Sequence, residues 1–122
     1  MKRAFTIGID FGTNSVRSVV FDCADGRELG TAVFDYPSGE QGILLDPRDP
    51  HLARQNPGDY IEGLEISVKG ALAEAAGQDG FSTDAVIGIG VDTTGSTPLP
   101  VNGANRPLAL EKKWRDNLAA HA

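Results

Sequence analysis

Phe5, Ile7 and Ile9 alternate with Thr6, Gly8 and Asp10, the period of two shown by a half-buried strand. Residues 16–21 are rich in valine and read as a second strand. Asp25-Gly26 is a turn signal. Residues 29–36 alternate again and read as a third strand. Three strands joined by short turns predict an antiparallel meander. Residues 37–55 contain Pro37, Gly39, Gly42, Pro47 and Pro50 and read as a long irregular connection. A loop of this length is either functional or a solvated excursion.

A helix is predicted next. Asn56 suits the N-cap, Pro57 the first helical position, and Asp59 the first turn. Tyr60, Ile61, Leu64, Val68, Ala71, Leu72 and Ala75 recur at helical spacing and predict the packing face. Gly77 fits the stop. Residues 86–91 form a short apolar run of β-branched residues and glycines, which predicts a buried strand ending at Asp92. Residues 92–97 are a polar turn, and Asn102-Gly103 signals a hairpin. Residues 108–110 are expected to pair back, ahead of a final helical piece around Trp114.

The order is strand, strand, strand, helix, strand. The helix can serve as a crossover that lays the fourth strand parallel to the first. The fold class is then α/β with a mixed sheet. Asp10 and Asp92 would stand at the same edge of it, each at a strand's C-terminal end beside a Gly/Thr/Ser turn. Open α/β sheets bind ligands just outside those ends.

The 122 residues suit one domain or a piece of a larger one. With 40% hydrophobic and 23% charged residues a core can form. Eleven Lys and Arg against 17 Asp and Glu give a net charge of -6, which argues against nucleic acid as a partner. The single cysteine, Cys23, excludes an internal disulfide and fits a reducing, cytoplasmic setting. Cys23 ends an apolar run and reads as a small buried filler. His51 and His121 are isolated and read as surface or packing residues. No segment reaches the roughly 20 apolar residues of a membrane span, so a soluble chain without a membrane partner is expected.

The chemistry concentrates in the turn after the first strand. Gly12 lets the backbone approach a ligand. Successive N–H groups there can form an anion-binding concavity, and Thr13, Asn14 and Ser15 add side-chain donors. Asp10 repels phosphate directly but could hold Mg²⁺, which would bridge to phosphate oxygens. A hairpin turn with a polar tip accounts for the same spacing. Two other phosphate schemes are excluded. No G-x-x-x-x-G-K-[ST] occurs, and Gly88-x-Gly90 is followed by Thr93 where a third glycine is needed.

Residues 7–13, Ile-Gly-Ile-Asp-Phe-Gly-Thr, resemble the first phosphate motif of the actin, Hsp70 and sugar-kinase superfamily, whose core is ribonuclease H-like. Hsp70-type sequences diverge after the Gly-Thr. Ser15, Arg17 and Asp22 instead resemble the FGGY carbohydrate kinases. Residues 86–101, with "VDTTGSTPLPV", and residues 56–62 are similar to the ribulokinase members of that family.

The resemblance covers nearly the whole chain and implies that 1–122 is the N-terminal part of an FGGY kinase N-terminal domain. It implies ATP and Mg²⁺ as cofactors and a small sugar, ribulose, as partner. It leaves room for a homo-oligomer of the longer enzyme. Asp10 matches the position that organises Mg²⁺ with nucleotide. Gly12, Thr13, Asn14 and Ser15 match the loop facing the ATP phosphates, and Arg17 the arginine near the transferred phosphate. A strand-surface ion pair is the other reading of Arg17. Thr94, Gly95 and Ser96 match the turn lining the sugar site, where small residues would leave room for a five-carbon ketose; a plain structural turn is the alternative.

The family's general-base aspartate falls beyond the segment matching Ala122, so no catalytic base is expected in this chain and the isolated piece is expected to be inactive. Asp92 is expected to anchor its own turn by hydrogen bonds. The alternatives are another FGGY kinase, of xylulose or glycerol type, and an Hsp70- or actin-like nucleotide switch.

Overall fold

The computed structural model describes residues 2–110. Four strands form one sheet, in the spatial order 28–35, 15–22, 5–11 and 86–93. β1 (Phe5–Phe11), β2 (Ser15–Asp22) and β3 (Glu28–Asp35) make the expected antiparallel meander. β6 (Val86–Thr93) lies parallel to β1, with α1 (Pro57–Ala75) as the crossover. The connection expected to be irregular holds a small hairpin, β4 (Leu44–Asp46) and β5 (Asp49–Arg54). Its tight turn is closed by Arg48, which donates its backbone N–H and side chain to Asp46. Proline and glycine punctuation concealed it in the sequence.

The start of α1 is as expected. Asn56 Oδ1 accepts from Gly58 N at 2.9 Å, with Pro57 at the first helical position. The packing face is met in part: Ala71 and Ala75 are buried, and Tyr60, Val68 and Leu72 pack against the core. The fully buried stripe is Gly63, Ser67, Ala71 and Ala75, while Ile61, Leu64 and Ile66 are exposed. The cause is close approach of helix to sheet. A Cβ on Gly63 would stand 2.6 Å from Val16 Cγ1, and one on Gly30 2.2 Å from the Ala71 carbonyl oxygen. Ser18 and Ser67 satisfy each other across this interface at 2.7 Å. The core beneath α1 contains Phe5, Ile7, Ile9, Val16, Val20 and Leu29.

β6 is not the buried strand that its composition predicts. Ile87, Ile89 and Val91 are 73%, 62% and 61% exposed. In register Ile89 and Val91 stand beside the buried Ile7 and Ile9, but α1 packs chiefly on β2 and β3. β6 is the edge of the sheet among the described residues, and Gly88 and Gly90 leave its other face bare as far as Asp92.

Cys23 is exposed rather than buried. Asp22 takes the inward position, accepting from Arg3 Nη2 at 2.7 Å and from Ala24 N at 2.9 Å. His51 is exposed. Around Asn102-Gly103 the chain does turn back, through a Val101–Pro107 bridge and a Leu108 N–Pro100 O bond. Leu108–Leu110 itself is a 3-10 turn instead of a strand. Trp114 and His121 lie outside the described residues. No helix among the described residues is long and apolar enough to cross a membrane.

Candidate functional site

Two turns meet where β1 and β6 end. Residues 12–14 link β1 to β2, and residues 94–97 follow β6. Thr94 N donates to Phe11 O at 3.2 Å, tying the second turn to the first. The parallel register sets Asp10 beside Asp92, and the antiparallel register sets Asp10 opposite Arg17. These three side chains share the sheet face opposite α1 and line a shallow groove there.

In the first turn, Gly12 N donates to Ser15 O at 2.8 Å, closing the hairpin. The N–H groups of Thr13 and Asn14 donate to no described residue. Among the described residues, both are therefore left for an anion to engage. The Thr13 and Ser15 hydroxyls are likewise without a described partner. Asn14 is different: its Nδ2 donates to Gln41 O at 2.8 Å and its carbonyl accepts from Tyr36 N at 3.0 Å. Asn14 thus holds the turn as well as lining it.

Asp10 and Arg17 are exposed and form no ion pair with each other or with any described residue. The strand-surface pair, one of the two sequence readings of Arg17, is not formed among the described residues. Asp92 departs from expectation. Its side chain makes no hydrogen bond with the described residues. Its turn is held instead by Thr94 Oγ1 against Thr97 Oγ1 at 3.2 Å and by Thr97 Oγ1 donating to Gly95 O at 3.3 Å. The alternation of the strand turns the Asp92 side chain to the same face as Asp10.

On the α1 side of the two turns lies an apolar cavity of about 270 Å³, lined among others by Phe11, Gln55, Tyr60, Thr94, Thr97 and Leu99. Thr94 reaches it. Gly95 and Ser96 are exposed turn residues outside its lining, with Ser96 at a left-handed φ of 55°. Thr97, Gln55 and Tyr60 were not singled out as site residues in the sequence.

Tyr60 packs edge-on against Phe11 and Tyr36, at 5.8 and 5.4 Å between ring centres. Burial raises the Tyr60 phenol, with Asp59 adding to it. Burial, then the charges of Tyr60, Asp59 and Asp10, pushes Tyr36 up to about 12. Both phenols are therefore neutral near pH 7, and Tyr60 can donate to Gln55 Oε1. Asp59 is buried at the helix start and accepts from Ser38 N at 3.1 Å and Ser38 Oγ at 2.9 Å, anchoring the 37–56 excursion beside the site.

The donor set suits a magnesium–phosphate group. Asp10 offers a carboxylate without a partner among the described residues, the ligand type a hard cation takes, and the turn offers N–H and hydroxyl donors likewise without described partners, suited to phosphate oxygens.

No protein-family model matches the chain. Curated proteins named ribulokinase do. The one from Halalkalibacterium halodurans is 40% identical over 121 residues, 96% of this chain and 21% of its own length. Those of Anoxybacillus flavithermus and Vibrio parahaemolyticus are 37% and 34% identical, over 94% and 91% of this chain and 20% and 19% of theirs. The chain thus spans about one fifth of the length of these relatives, in their N-terminal part. Among solved structures, a gluconate kinase from Lactobacillus acidophilus aligns with TM-score 0.64 and 16% identity, over 87% of this chain and 18% of that one. A "xyloylose kinase" from Brucella ovis aligns with TM-score 0.64 and 22% identity, over 85% and 19%. The fold is that of the sugar kinases, of actin-like type and partial in this chain, and the chain is homologous to the N-terminal part of ribulokinases.

Proposed function

We propose, from the premise that this chain is the sugar-kinase-like segment just described, that residues 1–122 form the N-terminal part of the N-terminal domain of an ATP-dependent FGGY kinase. The reaction is transfer of the ATP γ-phosphoryl group to the 5-hydroxyl of ribulose. The observation that carries the reading is the Thr94 N–Phe11 O bond, which seats the turn proposed for the sugar against the turn proposed for phosphate. Such adjacency is what phosphoryl transfer needs, because its catalysis is mostly positioning and charge neutralisation.

In this reading Asp10 holds Mg²⁺. The free N–H groups of Thr13 and Asn14, with the Ser15 hydroxyl, receive phosphate oxygens. Gly12 keeps the backbone low at that point, and Arg17 offsets charge on the group being transferred. Thr94, Gly95 and Ser96 form the sugar turn, with Thr94 on the cavity. Bound MgATP supplies the phosphoryl group. The acceptor for the sugar's proton belongs to the longer protein, so the 122-residue piece alone is inactive. The setting is cytoplasmic.

The test is ATP-dependent phosphorylation by the full-length protein carrying this segment, with ribulose, xylulose and glycerol compared. Preference for ribulose is expected. Preference for xylulose or glycerol would sink the substrate assignment, and transfer by the 122 residues alone would sink the claim that the base lies elsewhere.

A further inference from the structure

We infer that Gln55 is a positioning residue: it fixes the phosphate turn and ties that turn to the wall of the cavity. The inference rests on the kinase reading above for its consequence, and on geometry alone for its existence.

Gln55 closes the 37–55 excursion, one residue before the helix cap. Both ends of its amide are engaged. Nε2 donates to the Thr13 carbonyl at 2.7 Å, across 42 positions of sequence, and Oε1 accepts from the Tyr60 hydroxyl. The assignment of the amide's two ends follows from chemistry, since a carbonyl can only accept. Tyr60 is itself held by edge contacts with Phe11 and Tyr36.

The consequence lies in the peptide between Thr13 and Asn14. A trans peptide is planar, with its C=O and N–H pointing opposite ways. With the Thr13 carbonyl held on Gln55, the Asn14 N–H is aimed away from Gln55. That N–H donates to no described residue. A turn left to itself would have to choose this peptide orientation each time an anion bound, at a cost in ordering. Gln55 makes the choice in advance. Because Gln55 and Tyr60 also line the cavity with Thr94, a group entering the cavity meets the same side chains that set the turn.

The test uses the full-length protein with Gln55→Glu and Gln55→Leu. Gln55→Glu keeps the size and the acceptor for Tyr60 but sets a carboxylate against the Thr13 carbonyl. At pH 7.5 both variants should raise KM for ATP about tenfold, the scale of one lost hydrogen bond. KM for the sugar should move less than KM for ATP, and the Tm should stay near wild type. As pH falls toward 5, Gln55→Glu alone should recover relative to wild type, because its protonated carboxyl can donate again. An unchanged KM for ATP, or a glutamate variant that follows the leucine variant at every pH, overturns the inference.

An independent arm needs no activity. In the 122-residue chain, backbone order parameters of Thr13 and Asn14 should fall from the rigid range near about 0.85 toward about 0.6 in Gln55→Leu. Unchanged values there also overturn it. Absence of sugar phosphorylation in the wild-type protein would instead refute the kinase reading and leave this arm to judge Gln55.

Discussion

Gly30 on β3 is where the helix comes nearest the sheet, and it allows the same chemical change to be tested with opposite signs. A Cβ added at Gly30 would lie 2.2 Å from the Ala71 carbonyl oxygen and 2.7 Å from Ala75 N. Both obstacles are helix backbone, so no side chain can rotate aside. Contact at ordinary van der Waals distance requires α1 to lift by more than about 1 Å, and overpacking of this kind costs about 3 kcal/mol at the upper end of its usual range. The unfolded chain loses freedom on Gly→Ala, which returns about 0.4–1 kcal/mol. Gly30→Ala should therefore destabilise by about 2 kcal/mol. Gly88→Ala on β6 meets nothing within 4 Å and should stabilise by about 0.5 kcal/mol. Urea unfolding followed by far-UV circular dichroism reads both. With an m-value of about 1–2 kcal/mol/M, Gly30→Ala should lower the midpoint by about 1–2 M while Gly88→Ala raises it slightly. Equal shifts in the two variants, or a Gly30→Ala midpoint at the wild-type value, would refute the close-packing argument.

Other expectations follow from single contacts. Asp59→Ala should cost about 2–3 kcal/mol, because it removes a buried carboxylate bonded to Ser38 N and Oγ; calorimetry or urea unfolding measures it. Asp22 is held below the ordinary carboxylate range, first by the Arg3 hydrogen bond and next by Ala24 N–H. A depressed folded pKa contributes stability above the unfolded value of about 3.9, and that contribution is lost as pH falls through the folded value. The Tm of wild type should therefore fall more steeply than that of Arg3→Met below about pH 4, and parallel curves would contradict the pairing. Ile89→Lys should reduce self-association of the 122-residue chain in sedimentation velocity, since a charge on an edge strand blocks strand addition; unchanged sedimentation would show that β6 is not the adhesive edge.

Much of the fold was legible in the sequence because it rests on local signals. The period-two alternation of Phe5, Ile7 and Ile9, the Asn56-Pro57 cap and the termination near Asp92 each appear where expected. The helix face was legible in part, through Tyr60, Val68, Ala71, Leu72 and Ala75, while Gly63 and Ser67 were missed because they are small and weakly hydrophobic. Close approach selects for lack of volume, which hydrophobic periodicity does not register. The burial of β6 was misread because apolar composition reports that a strand can be covered, and here α1 covers β2 and β3 instead.

That polar turns follow the first strand and β6 was legible from Asp10-Phe11-Gly12-Thr13 and from Asp92 to Thr97. Their junction through Thr94 N and Phe11 O was not, nor was the Gln55 tie to Thr13. Both join residues far apart in the chain by single hydrogen bonds, and no periodicity marks such pairs. The free state of Asp92 was hidden for the same reason: which polar group a carboxylate meets depends on the strand register.

The most direct measurement follows the γ-phosphoryl group itself. The full-length protein carrying this segment is given γ-labelled ATP and ribulose, beside an Asp10→Asn variant. Label should appear on ribulose, and the variant should transfer it about a hundredfold more slowly, the scale on which one preorganised charge-stabilising group acts in catalysis. Label released only as inorganic phosphate with or without sugar would contradict the account and favour a nucleotide switch, and transfer at the wild-type rate in Asp10→Asn would contradict the role assigned to the first turn.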